Sequence, residues 1–375
     1  MNPVMKFIYS RYTRTLQSSF VSRIAFVIFF SALILSAQPV FAQTTAQVPG
    51  VSPHALLYVT NSKAAIASLR THINSMDIIA PQIYAAKEDG TLLGEPSTEV
   101  LKIAHNAGAQ VMPLIINQNF SQSGMHNFLM NTIAQDNLIA ALIAEAKDKG
   151  YLGFQYDFEH MQASDKDLYS VFVAKSVPQF HAAGLQLSVA MAPRHSDNPA
   201  DYGDGSWDNW TGTFDYHAIG AVADFVSVMA YDDSRSVGPV ASIPFVQTVL
   251  GYTLARIPAE KVSLGVPTYA WIWRDKTSTI DHVRGYPAVA EVLKSKSYIK
   301  KGWSDELGVS FVTYFRGNKK FTAWYEDQKS FQRKIALVTE NKLYGFSAWA
   351  LGLEDPKVWD VMLTLRAPQY GLAER

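Results

Sequence analysis

The chain contains no cysteine. Disulfides and thiolate chemistry are therefore excluded, and any exported form must hold together by core packing. Neither charge is in excess: 33 Lys and Arg stand against 33 Asp and Glu, a formal net charge of zero. With no basic surplus and no polybasic run, nothing argues for nucleic acid or anionic lipid as a partner. The 9 histidines are scattered, without His-Glu-x-x-His or any clustered spacing, so neither a metal site nor another cofactor is expected. The stretch Gly345-Phe346-Ser347-Ala348-Trp349 lacks the second glycine of a nucleophile elbow. What is present is apolar and aromatic: 48% hydrophobic residues, with 18 Tyr and 8 Trp among 375. That supports a sizeable core, and the aromatics suit stacking on sugar rings as well as packing.

The N-terminus has the pattern of an export signal. Lys6, Arg11, Arg14 and Arg23 precede an apolar run from Ile24 to Ala37, followed by Gln38, Pro39 and Val40-Phe41-Ala42. The run is shorter than the ~20 residues of a membrane span, and small residues close it. The expectation is a signal peptide over 1–42, cut after Ala42, a linker over 43–52 and a catalytic domain over 53–375. The mature protein is then exported, whether periplasmic, wall-associated or secreted, with no stable membrane anchor.

From His54 onward short apolar runs alternate with helical patterns. Strands are predicted at His54 to Thr60, Met76 to Ala80, Gln110 to Ile116, Leu152 to Phe158, Leu185 to Met191, Asp224 to Ala230, Lys261 to Val266 and Tyr344 to Trp349. Helices are predicted between them, three with a glycine just past the end. Eight strands alternating with helices predict an α/β fold, a (β/α)8 TIM barrel. A small α+β insertion is predicted at about 271–325, between strand 7 and helix 7. The rival, an open doubly wound sheet, usually brings a Gly-rich loop after its first strand, and none is present.

The fourth strand carries the chemistry. Leu152, Phe154, Tyr156 and Phe158 alternate with Gly153, Gln155, Asp157 and Glu159. Alternation puts the bulky set against the helices and the polar set inside the barrel, climbing to its C-terminal mouth. Asp157 and Glu159 are then roughly 7 Å apart along one face. Two such carboxylates do not ionise equally easily, which suits one acid donating a proton beside a charged neighbour.

These residues resemble the signature of glycoside hydrolase family 18, the chitinase-like enzymes, whose fourth strand reads Asp-Gly-x-Asp-x-Asp-x-Glu. Val228-Met229-Ala230-Tyr231-Asp232 resembles the family's sixth-strand Met-x-Tyr-Asp. Leu264-Gly265-Val266-Pro267-Thr268-Tyr269 is similar to its seventh-strand Gly-x-Pro-x-Tyr, and Gly345 to Trp349 to its eighth strand. The end of the fourth strand and Leu351 to Pro356 look closest to the spore-cortex-lytic branch of N-acetylglucosaminidases. The resemblance implies a retaining, substrate-assisted hydrolysis of β-linked N-acetylglucosamine, in chitin oligomers, peptidoglycan or N-glycan cores. Glu159 would be the proton donor. Asp157 would orient the 2-acetamido group, and the Tyr231 hydroxyl would bond it. Trp349 would floor the site, with Gln155 beneath Asp157. Met229, Asp232, Tyr269 and Tyr84 are further candidates for lining the cleft. Two positions depart from the pattern: Leu152 and Gln155 replace acids. By alternation Leu152 faces outward, so its change touches packing, whereas Gln155 faces inward and removes a group able to share a proton. Two rivals stand beside this reading: a glycan-binding barrel with little turnover, and an unrelated barrel glycosidase with Asp232 as nucleophile.

Overall fold

The computed structural model describes residues 53–366 apart from 204, 234, 236, 278 and 279. The expected signal peptide and linker lie outside the described residues. So does the end of the chain from 367. Among the described residues no helix is long and apolar enough to cross a membrane.

Strand and helix alternate in the order β1 (His54–Val59), α1 (Lys63–His72), β2 (Ile78–Ala86), α2 (Thr98–Ala107), β3 (Leu114–Asn117), α3 (Gln122–Met130), α4 (Thr132–Lys149), β4 (Gly153–Tyr156), α5 (Lys166–Ala182), β5 (Gln186–Met191), α6 (Tyr216–Val222), β6 (Phe225–Val228), α7 (Ile243–Leu254) and β7 (Val262–Pro267). An inserted unit follows: β8 (Tyr269–Arg274), β9 (Ile280–Gly285), α8 (Tyr286–Ser295), β10 (Tyr298–Ser304), β11 (Val309–Arg316) and β12 (Lys319–Tyr325). The chain then returns through α9 (Gln328–Glu340), β13 (Gly345–Trp349) and α10 (Val358–Arg366). Seven parallel pairings run from β1 through β7 and on to β13. An eighth, β13 to β1, closes the ring. This is the (β/α)8 barrel. The inserted strands form a separate antiparallel sheet in the order β9-β8-β12-β11-β10.

Local chemistry explains the boundaries. Ser62, Ser97 and Asn131 each accept a backbone N–H in the first turn of the helix that follows, so α1, α2 and α4 start where a side chain satisfies an orphan donor. Gly150 ends α4 at φ 68°, a conformation that costs a side-chain-bearing residue more. The strand read from Gln110 is broken after Val111, and β3 resumes at Leu114 beyond Pro113, which has no N–H for the ladder. Helices α3 and α6, which sequence periodicity did not reveal, are short segments of 9 and 7 residues.

The outward face of β4 is an aromatic wedge. Tyr156 stacks on Phe172 of α5 with centroids 5.2 Å apart, and Phe158 stacks on Tyr156 at 5.1 Å. Phe154 meets Tyr84 edge-on at 5.4 Å. All four rings of this wedge, Phe154, Tyr156, Phe158 and Phe172, are fully buried. Each contributes about 1.5–3 kcal/mol of burial and locks the strand's rotation, which fixes where the opposite face points. Leu152 is a correction to the alternation. It packs against the interior cluster of Leu56, Ile78, Met112 and Phe225 rather than the helices. Gly153 has φ 157°, and a Cβ there would lie 1.8 Å from the Gln186 carbonyl oxygen. The chain therefore turns at this glycine, and the period of two starts only after it.

Candidate active site

Inside the barrel the inward residues of β4 fall in two layers. The lower layer is neutral. Gln155 accepts from the Tyr58 hydroxyl at 2.8 Å and donates to Ser188 at 2.7 Å and Ser227 at 2.9 Å. Ser227 continues to Ser347 at 2.8 Å, and Ser347 to Ser263 at 2.5 Å. One amide, one phenol and four hydroxyls thus satisfy one another with no ionised group, as a dry interior requires.

The upper layer carries the carboxyl groups. Asp157 and Glu159 are 6% and 5% exposed and line a cavity of about 280 Å³ at the C-terminal mouth. The β ladder stops at Tyr156, and other groups carry the backbone onward. The Asp157 N–H still donates to Ile115 O at 2.9 Å. Asn117, at the end of β3, clamps Glu159 from both sides. Its Oδ1 accepts the Glu159 N–H at 3.0 Å, and its Nδ2 donates to the Glu159 carbonyl at 2.9 Å. His160 then leaves the strand at φ 55°. Above, the indole N–H of Trp210 donates to Glu159 Oε2 at 2.9 Å.

Tyr231 enters from the segment after β6. It is 6% exposed and lines the same cavity. Burial holds its hydroxyl pKa well above the ordinary value, with the neighbouring Tyr58, Asp157, Asp232 and Glu159 adding to the shift. The phenol therefore stays protonated and available as a donor. Gly265 makes the space: a Cβ there would lie 2.9 Å from Tyr231 Cε1 and 2.4 Å from the Val228 carbonyl oxygen. Asp232, at φ 62°, accepts from the Tyr269 hydroxyl at 2.5 Å, and both line the cavity. Trp349 and Met229 complete an apolar wall, with the Trp349 ring 5.3 Å from that of Tyr58. Among the described residues, no Lys, Arg or His lines the cavity, and no group of His, Cys, Asp and Glu is suited to a metal.

Asp157, Glu159, Tyr231, Met229, Asp232, Tyr269 and Trp349 thus converge on one space. One candidate for substrate contact, Gln155, is corrected. Gln155 lies below the cavity, its amide engaged with Tyr58, Ser188 and Ser227. Tyr84 borders the cavity as expected, but its hydroxyl points away to Glu145 at 2.6 Å and Tyr151 at 3.0 Å. A register shift between Gln82 and Tyr84 reverses the alternation of β2 at that point. Asp233, next to Asp232, is buried and paired with Arg235 at 2.7 Å. Trp271 and Trp273 are buried packing residues of the inserted sheet and its base. Sequence reasoning missed Asn117, Tyr58 and Trp210. Only Trp210 left a trace, in a Trp-rich stretch between β5 and β6 that showed no clear period.

A parallel barrel with two carboxylates, a neutral phenol and an apolar wall at its C-terminal mouth is the architecture of a glycoside hydrolase. The sequence profile described as "Glycosyl hydrolases family 18" matches residues 51–354, and the chain belongs to that family. It is 28% identical over 311 residues to "Uncharacterized glycosylase YvbX" of Bacillus subtilis (strain 168), covering 80% of this chain and 88% of that protein. It is 28% identical over 290 residues to the "Cortical fragment-lytic enzyme" of the same organism, covering 74% of this chain and 64% of the relative. Among solved structures, the spore cortex-lytic enzyme SleL of Bacillus megaterium QM B1551 superposes with a TM-score of 0.75 at 25% identity, over 84% of this chain and 74% of that one. The chitinase of Chromobacterium violaceum ATCC 12472 shares the fold with a TM-score of 0.75 at 24% identity, over 86% of this chain and 100% of that one.

Proposed function

We propose that this hydrolase cleaves β-linked N-acetylglucosamine glycans, chitin oligomers or peptidoglycan, with retention of configuration and with the substrate's own acetamide as nucleophile. The observation that carries the reading is the convergence of Glu159, Asp157 and Tyr231 on one cavity walled by Trp349. Glu159 transfers a proton to the glycosidic oxygen as the C1–O bond breaks. The acetamido carbonyl oxygen closes on C1 and forms a cyclic oxazolinium ion. Asp157 orients the acetamide N–H and offsets the positive charge that develops there. Tyr231, neutral and donating, bonds the acetamido group. Glu159, now a carboxylate, takes a proton from water, whose oxygen attacks C1 and reopens the ring. Trp349 supplies a flat apolar surface for the reacting sugar.

This scheme differs from the two-carboxylate nucleophile mechanism, in which the second acid bonds C1 directly. Support also comes from the relatives' names, which include cortical fragment-lytic enzymes and, at 21% identity, the Di-N-acetylchitobiase of Homo sapiens. Export across the membrane belongs to the same proposal, since polymeric glycans of this type lie outside the cell. The test is incubation with chitin oligomers and with purified peptidoglycan, reading product masses for wild type and Glu159→Gln. Release of new reducing ends by wild type alone supports the reading. Equal release by the variant removes it.

A further inference from the structure

The acid of this site has a partner that the sequence signature does not contain. The segment between β5 and α6 includes one turn of π-helix, Trp207–Thr211, which carries Trp210 over the end of β4. The turn is tied down on several sides. Gln122 donates to the Asp208 carbonyl and to Asn209 Oδ1, each at 3.3 Å. Asn209 meets His160 Nδ1 at 2.9 Å, and the Gly212 N–H closes the turn on Trp207 O at 2.9 Å. The Thr213 hydroxyl donates to Gln162 O at 2.7 Å. A Cβ at Gly212 would lie 2.6 Å from Ala163 Cβ, so the turn presses directly on the segment that follows Glu159. An indole held this way has a fixed N–H direction, and that N–H ends on Glu159 Oε2 at 2.9 Å.

Resting on the reading of Glu159 as proton donor, we infer that Trp210 is a positioning residue that selects which Glu159 oxygen carries the transferred proton. An indole nitrogen donates and cannot accept. Oε2 therefore faces a donor and has no use for a proton of its own along that direction. The proton resides on Oε1, the oxygen that does not accept the indole N–H. After transfer the same N–H bonds a full carboxylate, which is the stronger interaction, and so favours the base that must next activate water.

The other groups around Glu159 make this contact count. Asp157 projects from the same strand, and Asp232 from the segment after β6, and both line the cavity. Tyr58 from β1 and Tyr231 from the segment after β6 are both held neutral by burial. Asn117 from β3 engages the Glu159 backbone, and His160, the next residue, is turned to Asn209. Among the described residues, no cation lines the cavity, and the Trp210 N–H adds a fixed donor on Glu159 Oε2.

Two variants separate the donor from the ring. Trp210→Phe keeps the ring and removes the N–H; Trp210→Gln restores a donor with a smaller side chain. The readout is kcat/KM against pH on a chitin oligomer and on an aryl β-glycoside of the same sugar whose phenol departs without protonation. Loss of a hydrogen bond that favours the charged form moves the alkaline limb of Trp210→Phe up by about 0.5–1 pH unit. On the oligomer its optimum falls about tenfold, and on the aryl glycoside less than about threefold, because only the first needs a well-placed proton. Trp210→Gln keeps the wild-type limb. An unmoved limb in Trp210→Phe, equal losses on the two substrates, or a Trp210→Gln limb that moves with the phenylalanine variant overturns the inference. Glu159→Gln run alongside separates the two proposals. If that variant stays active, the proton-donor reading fails; if it is inactive while Trp210→Phe behaves as wild type, only the role of Trp210 fails.

Discussion

The two polar layers inside the barrel are made from the same strand, two residues apart, and they do opposite things. Gln155 sits in a closed network of neutral groups in which the amide, Tyr58 and four serines use one another. Asp157 and Glu159 sit at the mouth, where their side chains border open volume and the ties on Glu159 come from Asn117 and Trp210. On the proposed reading the lower layer serves stability and the upper layer serves chemistry. An acid at position 155 would place a third carboxyl beneath the pair, whereas an amide adds none. The inserted sheet belongs to neither layer. Its buried tryptophans pack it to the barrel, and Trp273 spends its N–H on the Gly238 carbonyl at 2.7 Å.

Substitutions should split along this division. The largest effect is at the top. Glu159→Gln lowers kcat/KM by about 10²–10⁴, the usual worth of a general acid, while thermal unfolding stays within experimental error of wild type. A matching loss of stability would mean that the upper layer is structural after all. In the lower layer the order reverses. Gln155→Ala leaves the Tyr58, Ser188 and Ser227 hydroxyls short of a buried partner and opens a void, costing about 2–4 kcal/mol in denaturant unfolding. If stability were unchanged, the network would not be the keystone described here.

Smaller effects refine the boundary between the layers. Gly265→Ala pushes a Cβ against Tyr231 and the Val228 carbonyl, so about 1–3 kcal/mol of stability and much of the activity are lost together. Activity lost without stability would show that the Tyr231 ring moves freely. The gentlest probe is alkaline pH. Burial raises the hydroxyls of Tyr58 and Tyr231 well above the ordinary range, and pushes Tyr344, stacked on Phe225 at the barrel base, up to about 12. A folded-state value above the unfolded one means their contribution is complete below about pH 10 and is lost as pH climbs beyond it. Tyrosinate absorbance and circular dichroism should therefore change together above that pH. Ionisation well ahead of unfolding would place these rings in contact with water.

The barrel was legible in the sequence because alternating strands and helices and glycine stops are local signals. The period of two on β4 correctly set Asp157 and Glu159 on the inner face. It failed where the backbone departs from regular extension, at Gly153, which turns Leu152 inward. Gln155 was read as facing inward, yet its partners come from β1, β5 and β6 and were not visible in one strand. Trp210 and Asn117 were out of reach for the same reason. Each acts across 51 and 42 residues of chain, on a π-turn and a strand end without periodicity.

The most direct measurement compares two oligosaccharides that differ only in the 2-acetamido group of the sugar at the cleaved bond. Cleavage of the acetylated oligomer, with no product from its deacetylated twin, is the result expected if the substrate supplies the attacking oxygen. Comparable rates on both would mean that a protein carboxylate attacks the anomeric carbon, and the role assigned to Asp157 would be wrong.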